Sequence, residues 1–342
     1  MHAYVTNQGD KTVSVYRIEG DGALTAVPGS PFPGGFDPAG VAVDILGRVA
    51  YVVNNPGPGS ISAFHIKKDG ALTPIAGSPF PAGANPTSIA VDVLGRFVYA
   101  TNFADGTISA YRIGLYGALT QLASSPFPAA GAAPIFIAVD LLGRFAYEAD
   151  FGGGFGGGIG GGVSAYRIGA DGGLTPIAGS PFAAGVDPRC VALDPLCRFA
   201  YVANVNASFQ PNANNVSAYS IGPDGALTPV TGSPFPSGTE PISVAVDFFG
   251  RFAYVANKGD NNVSAYRIGL DGALTLIMGS PFPSGIEPYS VAVDFFGRFA
   301  YVTNAGDNTV SGFQIGLDGS LNPVPGSPFP SGNAPSFITI SH

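Results

Sequence analysis

The stretch Gly250-Arg251-Phe252-Ala253-Tyr254-Val255-Ala256-Asn257 is the clearest copy of a motif that recurs along the whole chain. Its core is Tyr-x-x-Asn or Tyr-x-x-Asp, and the seven tyrosines are Tyr4, Tyr51, Tyr99, Tyr147, Tyr201, Tyr254 and Tyr301. Successive copies are 47, 48, 48, 54, 53 and 47 residues apart. A period of this length is typical of repeat architectures, in which every unit packs on its neighbours. We therefore expect one domain that spans residues 1–342.

One repeat unit, residues 241–288, reads as four short β-strands separated by turns. Residues 243–247 and 252–256 are nearly all apolar, whereas residues 263–268 alternate between apolar and polar. A fourth strand is predicted at 273–277, after an Asp-Gly turn. Four antiparallel strands followed by a return are the pattern of a propeller blade. The sequence thus predicts an all-β fold, a seven-bladed β-propeller of four-stranded antiparallel blades, with strands A to D numbered from the inside outwards.

The two ends of the chain complement each other. The chain begins with a strand B at 3–7 that has no strand A before it. It ends with a segment at 335–341 that matches strand A and has no strand B after it. We expect these two strands to pair and close the ring, because closure removes exposed sheet edges.

The charge pattern limits the classes of molecule that the protein could bind. The net charge is −8 and there is no basic cluster, which argues against nucleic-acid binding. Apolar runs are too short for a transmembrane helix. No signal peptide is visible, so we expect a cytoplasmic protein, or a secreted or cell-surface protein if a leader has been removed. The loops that connect D to A and B to C lie on one face, here called the top, and carry an excess of acidic residues.

The two cysteines, Cys190 and Cys197, both lie in the fifth unit. The predicted hairpin places them about 13 Å apart along strand A and its turn. A disulfide needs Cα atoms within about 7 Å of each other. We therefore expect two free thiols.

The repeated motif resembles that of a known family. Tyr-Val-Thr-Asn at 4–7 and 301–304 and Tyr-Val-Ala-Asn at 201–204 and 254–257 resemble the YVTN-type β-propeller repeat. This repeat is similar to those of the lactonase propellers, which include 6-phosphogluconolactonase-like and carboxymuconate-cyclase-like proteins. The resemblance covers essentially the whole chain and implies a seven-bladed propeller. It implies activity less directly, because one fold hosts both enzymes and binding proteins.

The lactonase branch of that family carries a Pro-Arg-His segment at the start of one strand A. Here the matching segment is Pro188-Arg189-Cys190, so the arginine is present and Cys190 stands in place of the histidine. The glutamate that tends to follow the next Tyr-x-x-Asn is missing after Asn204. Since the three histidines are His2, His65 and His342, we expect no histidine general base in the top-face cleft.

The fourth copy of the motif departs from the repeat. It reads Tyr147-Glu148-Ala149-Asp150, with Glu and Asp where other copies have an apolar residue and Asn. It opens onto a glycine-rich insertion at 151–162, and the fifth unit has a second insertion at 205–215. Departures from a regular pattern tend to mark function. The candidate ligand- or partner-binding residues are therefore Glu148, Asp150, Phe151, Phe155, Asp187, Arg189 and Phe209.

Two repeated features could also hold ions. The residue before the proline that leads into strand A is acidic at Asp37, Asp187, Glu240 and Glu287. We place these residues at the channel mouth, where clustered oxygens could bind Ca²⁺, and the alternative is a solvated rim. Six aspartates that end strand A each precede an arginine by four residues, as in Asp247 and Arg251. These pairs favour a structural role in the turn over an anion-binding ring.

Two functional hypotheses follow. The first is a non-catalytic scaffold or binding module, extracellular or surface-associated, that presents its top face or its outer strands to a protein or carbohydrate partner or to copies of itself. The second is a hydrolase of an anionic sugar lactone, in which Arg189 binds the substrate and Glu148 or Asp187 is the base. The missing histidine and glutamate favour the first, and the retained Pro188-Arg189 favours the second.

Overall fold

The fold is that of a closed seven-bladed β-propeller, as the repeat predicts. A computed structural model describes residues 1–131, 133–152, 161–205 and 214–341. Within these ranges, seven antiparallel sheets each have the strand order A-B-C-D. The A strands of neighbouring blades contact one another around the central channel. We number the blades 1 to 7 from the N-terminus, so that blade 4 contains Tyr147 and blade 5 contains Tyr201.

The strands occupy equivalent positions in every blade. Strand A is Pro38–Val43, Pro86–Val91, Pro134–Val139, Pro188–Leu193, Pro241–Val246, Pro288–Val293 and, in blade 1, Pro335–Ile340. Strand B is His2–Asn7, Val49–Asn54, Phe97–Asn102, Phe145–Asp150, Phe199–Asn204, Phe252–Asn257 and Phe299–Asn304. Strand C is Thr12–Ile18, Pro58–Ile66, Thr107–Ile113, Gly162–Ile168, Asn215–Ile221, Asn262–Ile268 and Thr309–Ile315.

The outermost strand differs from the prediction, because it is divided into two short segments. The first segment, strand D, is Leu24–Ala26, Leu72–Pro74, Leu119–Gln121, Leu174–Pro176, Leu227–Pro229, Leu274–Leu276 and Leu321–Pro323. The second is Phe32–Pro33, Phe80–Ala84, Phe127–Pro128, Phe182–Ala183, Phe235–Pro236, Phe282–Pro283 and Phe329–Pro330. Both segments pair with strand C of the same blade, where the sequence predicted that the second would only connect blades. A 3-10 turn at Leu115–Gly117 precedes strand D of blade 3.

A serine side chain bridges the gap between the two outer segments. In blade 6 the backbone N–H of Ala265 donates to Ser280 Oγ at 2.9 Å, and the same bond occurs in every blade. The serine of the Gly-Ser-Pro-Phe-Pro segment thus replaces a missing backbone acceptor. A buried strand amide needs such a partner, which explains why this segment recurs with the strands.

The tyrosine of the motif joins each blade to the next. In blade 6 the Tyr254 hydroxyl is fully buried and donates to the carbonyl oxygen of Gly319 in blade 7 at 3.0 Å. Five other copies make the equivalent bond to the next blade. The receiving glycine has φ of +91° and lies against Phe252, so a side chain there would collide with the ring. These bonds fix the spacing between blades.

The two ends of the chain close the ring. Strand A of blade 1, Pro335–Ile340, pairs antiparallel with His2–Asn7, with Val5 opposite Ile338. The backbone N–H of Ser341 also donates to the carbonyl oxygen of His2 at 2.9 Å. The predicted closure is therefore confirmed.

Among the described residues, no helix is long and apolar enough to cross a membrane.

Deletion of residues 335–342 should destabilise the whole ring, because it removes a complete inner strand and the buried Ile338. Loss of several kcal/mol should lower Tm by about 10 °C or more in thermal unfolding followed by circular dichroism. Ile338→Ala, which removes part of one buried side chain, should lower Tm by a smaller amount. A truncated protein that melts at the temperature of the full chain would contradict this closure.

Candidate functional site

A cavity of about 190 Å³ lies at the top mouth of the central channel. The residues that line it are Gln8, Ala39, Asn55, Thr87, Ile135, Phe136, Arg189, Cys190, Ile242, Ser243, Tyr289, Ser290, Ser336 and Phe337. Hydroxyl and amide groups make up much of the wall. Arg189 is the one charged side chain among these lining residues. The cavity is thus polar, with a single positive charge.

The seven positions that form the mouth are the residues just after the proline of strand A. Each is the extra residue of a β-bulge, because the pairing register with strand B shifts there in every blade. A bulge redirects the side chain of its extra residue. These residues are Ala39, Thr87, Ile135, Arg189, Ile242, Tyr289 and Ser336, and all of them line the cavity.

The acidic residues predicted to form a calcium ring do not occupy these mouth positions. Asp37, Asp187, Glu240 and Glu287 stand two residues earlier, directly before the proline, and none of them is among the residues that line the cavity. Their backbone is left-handed, with φ between 44° and 53°, and their carbonyl oxygens accept N–H groups from the loop after strand B. In the described ranges no three His, Cys, Asp or Glu side chains form a group that could hold a metal ion.

Arg189 has hydrogen-bonding capacity that no described residue uses. Its guanidinium lies over the ring of Phe151, 4.5 Å from the ring centroid. Its Nε atom is buried without a hydrogen-bond partner, and Arg189 forms no ion pair with any residue that the structure describes. An arginine in this state is suited to bind a carboxylate or phosphate group through its planar fork of donors.

Asp187 lies two residues before Arg189, in the turn that leads into the same strand. The residue is 6% exposed, and its carboxylate makes no hydrogen bond or ion pair within the described chain. Its carbonyl oxygen accepts the N–H of Val205 at 3.1 Å, so the backbone is fixed although the carboxylate is not engaged. Of the acidic candidates, Asp187 is the one that directly precedes the strand A that carries Arg189.

Glu148 and Asp150 come together, but away from the cavity. Both side chains lie on strand B of blade 4, where Glu148 is 0% exposed and Asp150 is 5% exposed. The Tyr166 hydroxyl donates to Glu148 Oε2 at 3.3 Å, and Ser164 Oγ donates to Asp150 Oδ2. Tyr166 also accepts the N–H of Ala130, from the segment that leads out of blade 3. The pair is thus enclosed between blades 3 and 4.

The predicted role of Glu148 as a base is not compatible with this environment. Burial, together with the charge of Asp150, raises the pKa of Glu148 well above its usual value. Since Glu148 is fully buried and is not among the residues that line the cavity, it does not reach a water molecule held there. The predicted cluster divides into a carboxyl pair inside blade 4 and a separate Asp187–Arg189 segment at the channel.

Both cysteines are free and buried, as predicted. Burial raises the pKa of the Cys190 thiol to about 11. Cys190 Sγ lies 3.6 Å from the carbonyl oxygen of Val244 in the neighbouring blade. Since the thiolate is the reactive form, Cys190 lines the cavity as a neutral, unreactive side chain.

The six Asp–Arg pairs support the turns at the bottom of the blades. Asp247 accepts the backbone N–H groups of Arg251 and Phe252, the latter at 2.8 Å, and its second oxygen pairs with Arg251 Nε at 2.8 Å. The aspartate is fully buried, whereas the arginine side chain is 42% exposed. The equivalent pairs have N–O distances of 2.6 to 3.3 Å. The structural interpretation of these pairs is therefore confirmed.

Two of the proposed contact residues, Phe155 and Phe209, lie outside the described residues, as does most of both insertions. Phe151, at the start of the first insertion, is described. Its ring lies between Arg189 and Phe103 of blade 3, with a centroid distance of 6.3 Å to Phe103. Phe151 therefore connects blades 3, 4 and 5 across the top face.

Fold and cavity define a β-propeller with a small polar site in its central channel. The chain belongs to the lactonase family of seven-bladed β-propellers, whose model matches residues 1–134 and 151–338. The unmatched residues between these segments include Glu148 and Asp150. No curated protein sequence matches the chain.

Solved structures share the fold over the full length of the chain. A candidate 6-phosphogluconolactonase from Bacteroides uniformis has a TM-score of 0.83 at 17% identity, covering 99% of this chain and 98% of that one. A second candidate 6-phosphogluconolactonase, from Bacteroides fragilis, has a TM-score of 0.79 at 19% identity and covers 99% and 97%. The periplasmic gluconolactonase of Pseudomonas aeruginosa has a TM-score of 0.78 at 18% identity and covers 100% and 99%. At these identities the likeness concerns the fold alone. The family match favours the lactonase hypothesis over the non-catalytic scaffold.

The Asp–Arg turns yield a test by substitution. Asp247→Ala should reduce the free energy of unfolding by about 2–4 kcal/mol, because two buried N–H groups lose their acceptor. Arg251→Ala should cost no more than about 1 kcal/mol, since that side chain is largely exposed. Urea unfolding of both variants measures the difference. Equal losses would show that the ion pair, and not the backbone hydrogen bonds, supports the turn.

Proposed function

We propose that this protein hydrolyses the lactone ring of a small anionic sugar lactone at the top mouth of the channel. The observation that carries the proposal is the Arg189 guanidinium, which is the one charged group lining the cavity and has an unpaired, buried Nε. Membership of the lactonase family and the names of the structural relatives support the same substrate class.

The walls of the cavity suit a sugar derivative. Ser243, Ser290 and Ser336 offer hydroxyl groups, and Tyr289 adds a phenol at the rim. A volume of about 190 Å³ is below the range of pockets that hold drug-sized ligands, so a single sugar ring is favoured over a polymer. Arg189 would bind the carboxylate or phosphate of the substrate and fix its orientation.

The reaction needs a base that can take a proton from water. Water adds to the carbonyl carbon of the lactone, Asp187 accepts its proton, and the ring C–O bond breaks. The alkoxide that leaves takes this proton back from Asp187, which restores the carboxylate and gives a hydroxy acid. Neither carboxylate lines the cavity, and Asp187 is the candidate for this role because it stands two residues before Arg189 and its carboxylate makes no hydrogen bond or ion pair within the described chain.

A panel of sugar lactones tests the role of Arg189. The wild type should hydrolyse a phosphorylated or carboxylated lactone, and Arg189→Ala should raise KM for it by about 10- to 100-fold, as expected for a lost hydrogen bond to a charged group. An uncharged lactone should be affected less. Arg251→Ala, which removes an arginine on the opposite face, is the matched control and should leave KM unchanged. Turnover that does not depend on Arg189, or no turnover of any lactone, would contradict the proposal.

Asp187→Asn tests the proposed base in the same assay. Loss of a general base should lower kcat by about 100-fold or more while KM changes little. The asparagine preserves the shape of the side chain, so thermal unfolding should remain close to the wild type. An unchanged kcat would assign the proton transfer to another group.

A further inference from the structure

Blade 4 carries a buried carboxyl pair at positions where the other six blades have no titratable group. The residues equivalent to Glu148 are Val5, Val52, Ala100, Val202, Val255 and Val302. Those equivalent to Asp150 are Asn7, Asn54, Asn102, Asn204, Asn257 and Asn304. The other six blades therefore show how these two positions are packed when neither residue carries a charge.

In the reference blades the asparagine amide joins strand B to strand C. Asn257 Nδ2 donates to Ser264 Oγ at 2.8 Å and to Asn262 Oδ1 at 2.7 Å. In blade 4 the direction of the bond is reversed, because Ser164 donates to Asp150. Gly162 stands where blade 6 has Asn262, so the second partner is absent. The bond between strands B and C thus depends on Asp150 being an acceptor.

The pair leaves two oxygen atoms without a partner. Glu148 Oε1 and Asp150 Oδ1 are buried and accept no hydrogen bond from another residue that the structure describes. The groups acting on the pair are Ser164 and Tyr166 of strand C, the backbone N–H of Gly131 from blade 3, and the two carboxyls themselves. Neither carboxyl forms a salt bridge within the described chain. Two carboxylates cannot both remain charged in such a site, so the pair holds a proton.

The pair is linked to the channel through the next residue. Phe151 follows Asp150 directly, and its N–H donates to the carbonyl oxygen of Ala133 at 2.9 Å. Its ring packs on the Arg189 guanidinium, and the Nε atom of Arg189 has no hydrogen-bond partner among the described residues. The position of Asp150 therefore sets the position of Phe151, and Phe151 sets the orientation of Arg189.

We propose that Glu148 and Asp150 form a proton-dependent latch that holds Phe151 against Arg189 and so sets the affinity of the channel mouth for an anion. Glu148 and Asp150 are positioning residues, since they act on Arg189 only through Phe151. When the pair loses its proton, two negative charges share one buried site and the end of strand B moves away from strand C. The inference rests on the proposed anion site at Arg189.

The sign of the effect follows from the direction of the pKa shifts. Burial raises the pKa of both Glu148 and Asp150 above their values in an unfolded chain. Their contribution to stability is therefore fully present below the unfolded pKa and is lost as pH rises through the folded pKa.

The test measures gluconate binding by calorimetry and Tm by thermal unfolding, between pH 5 and 9, because gluconate keeps one negative charge over this range. The wild type should bind gluconate at least about tenfold more weakly at pH 9 than at pH 6, which corresponds to about one pKa unit of linkage. Glu148→Gln keeps a hydrogen-bond donor and removes the shared titration, so it should abolish the weakening. The double variant Glu148→Val and Asp150→Asn restores the pattern of the other blades and should do the same.

Blade 7 supplies the matched control. Val302→Glu together with Asn304→Asp transplants the pair to the interface between blades 6 and 7, neither of which carries Arg189, and the residue that follows is Ala305. Between pH 6 and pH 9, the Tm of this variant should fall by about 4 °C more than the Tm of the wild type. Its gluconate binding should show no pH dependence beyond that of the wild type. No gluconate binding at any pH would contradict the proposed function. Binding with a pH profile that Glu148→Gln leaves unchanged would overturn this inference alone.

Discussion

The structure depends most on one requirement, which six of the seven blades meet: the hydroxyl group of the strand B tyrosine, buried between two blades, needs a hydrogen-bond partner. Tyr4 is the copy whose hydroxyl has no partner among the described residues. An unpaired buried hydroxyl costs about 1–3 kcal/mol. Six copies meet the requirement through a glycine carbonyl of the following blade, as Tyr254 does with Gly319. Because each bond crosses from one blade to the next, the same contact sets the spacing of the blades and makes the stability of each depend on its neighbours. The asparagine three residues later acts within its own blade, where it joins strand B to strand C.

Whether a contact joins residues that are close or distant in the sequence explains which features could be predicted. The number of blades, their strand order and the closure by residues 335–341 follow from periodic apolar runs and turn residues, which are local signals. The divided outer strand did not follow, because the role of Ser280 as an acceptor for strand C is a contact between residues 15 positions apart. The position of the channel mouth did not follow either. The bulge makes the residue directly after the proline of strand A, Arg189 in blade 5, face the cavity, whereas the sequence pattern predicted the residue before the proline, Asp187, at this position.

The arrangement of the candidate site could not be predicted from the sequence for the same reason. Glu148 and Arg189 both departed from the repeat, and the sequence placed them in one cluster for that reason. Alternation along strand B separates them, because Tyr147 faces blade 5, where it reaches Gly225, and Glu148 faces the opposite way, toward blade 3. Two departures from a repeat can therefore belong to one functional unit without touching. Here Phe151 makes the connection, with Arg189 on one side and Phe103 on the other.

The most direct test of the account is a crystal structure of the protein with bound gluconate, the product-like anion of a sugar lactone. We expect gluconate in the channel-mouth cavity, with its carboxylate hydrogen-bonded to the Arg189 guanidinium and its hydroxyl groups near Ser243 and Ser290. Gluconate bound elsewhere, or in this cavity without contact to Arg189, would contradict the central claim that Arg189 is the anion-binding group of the site.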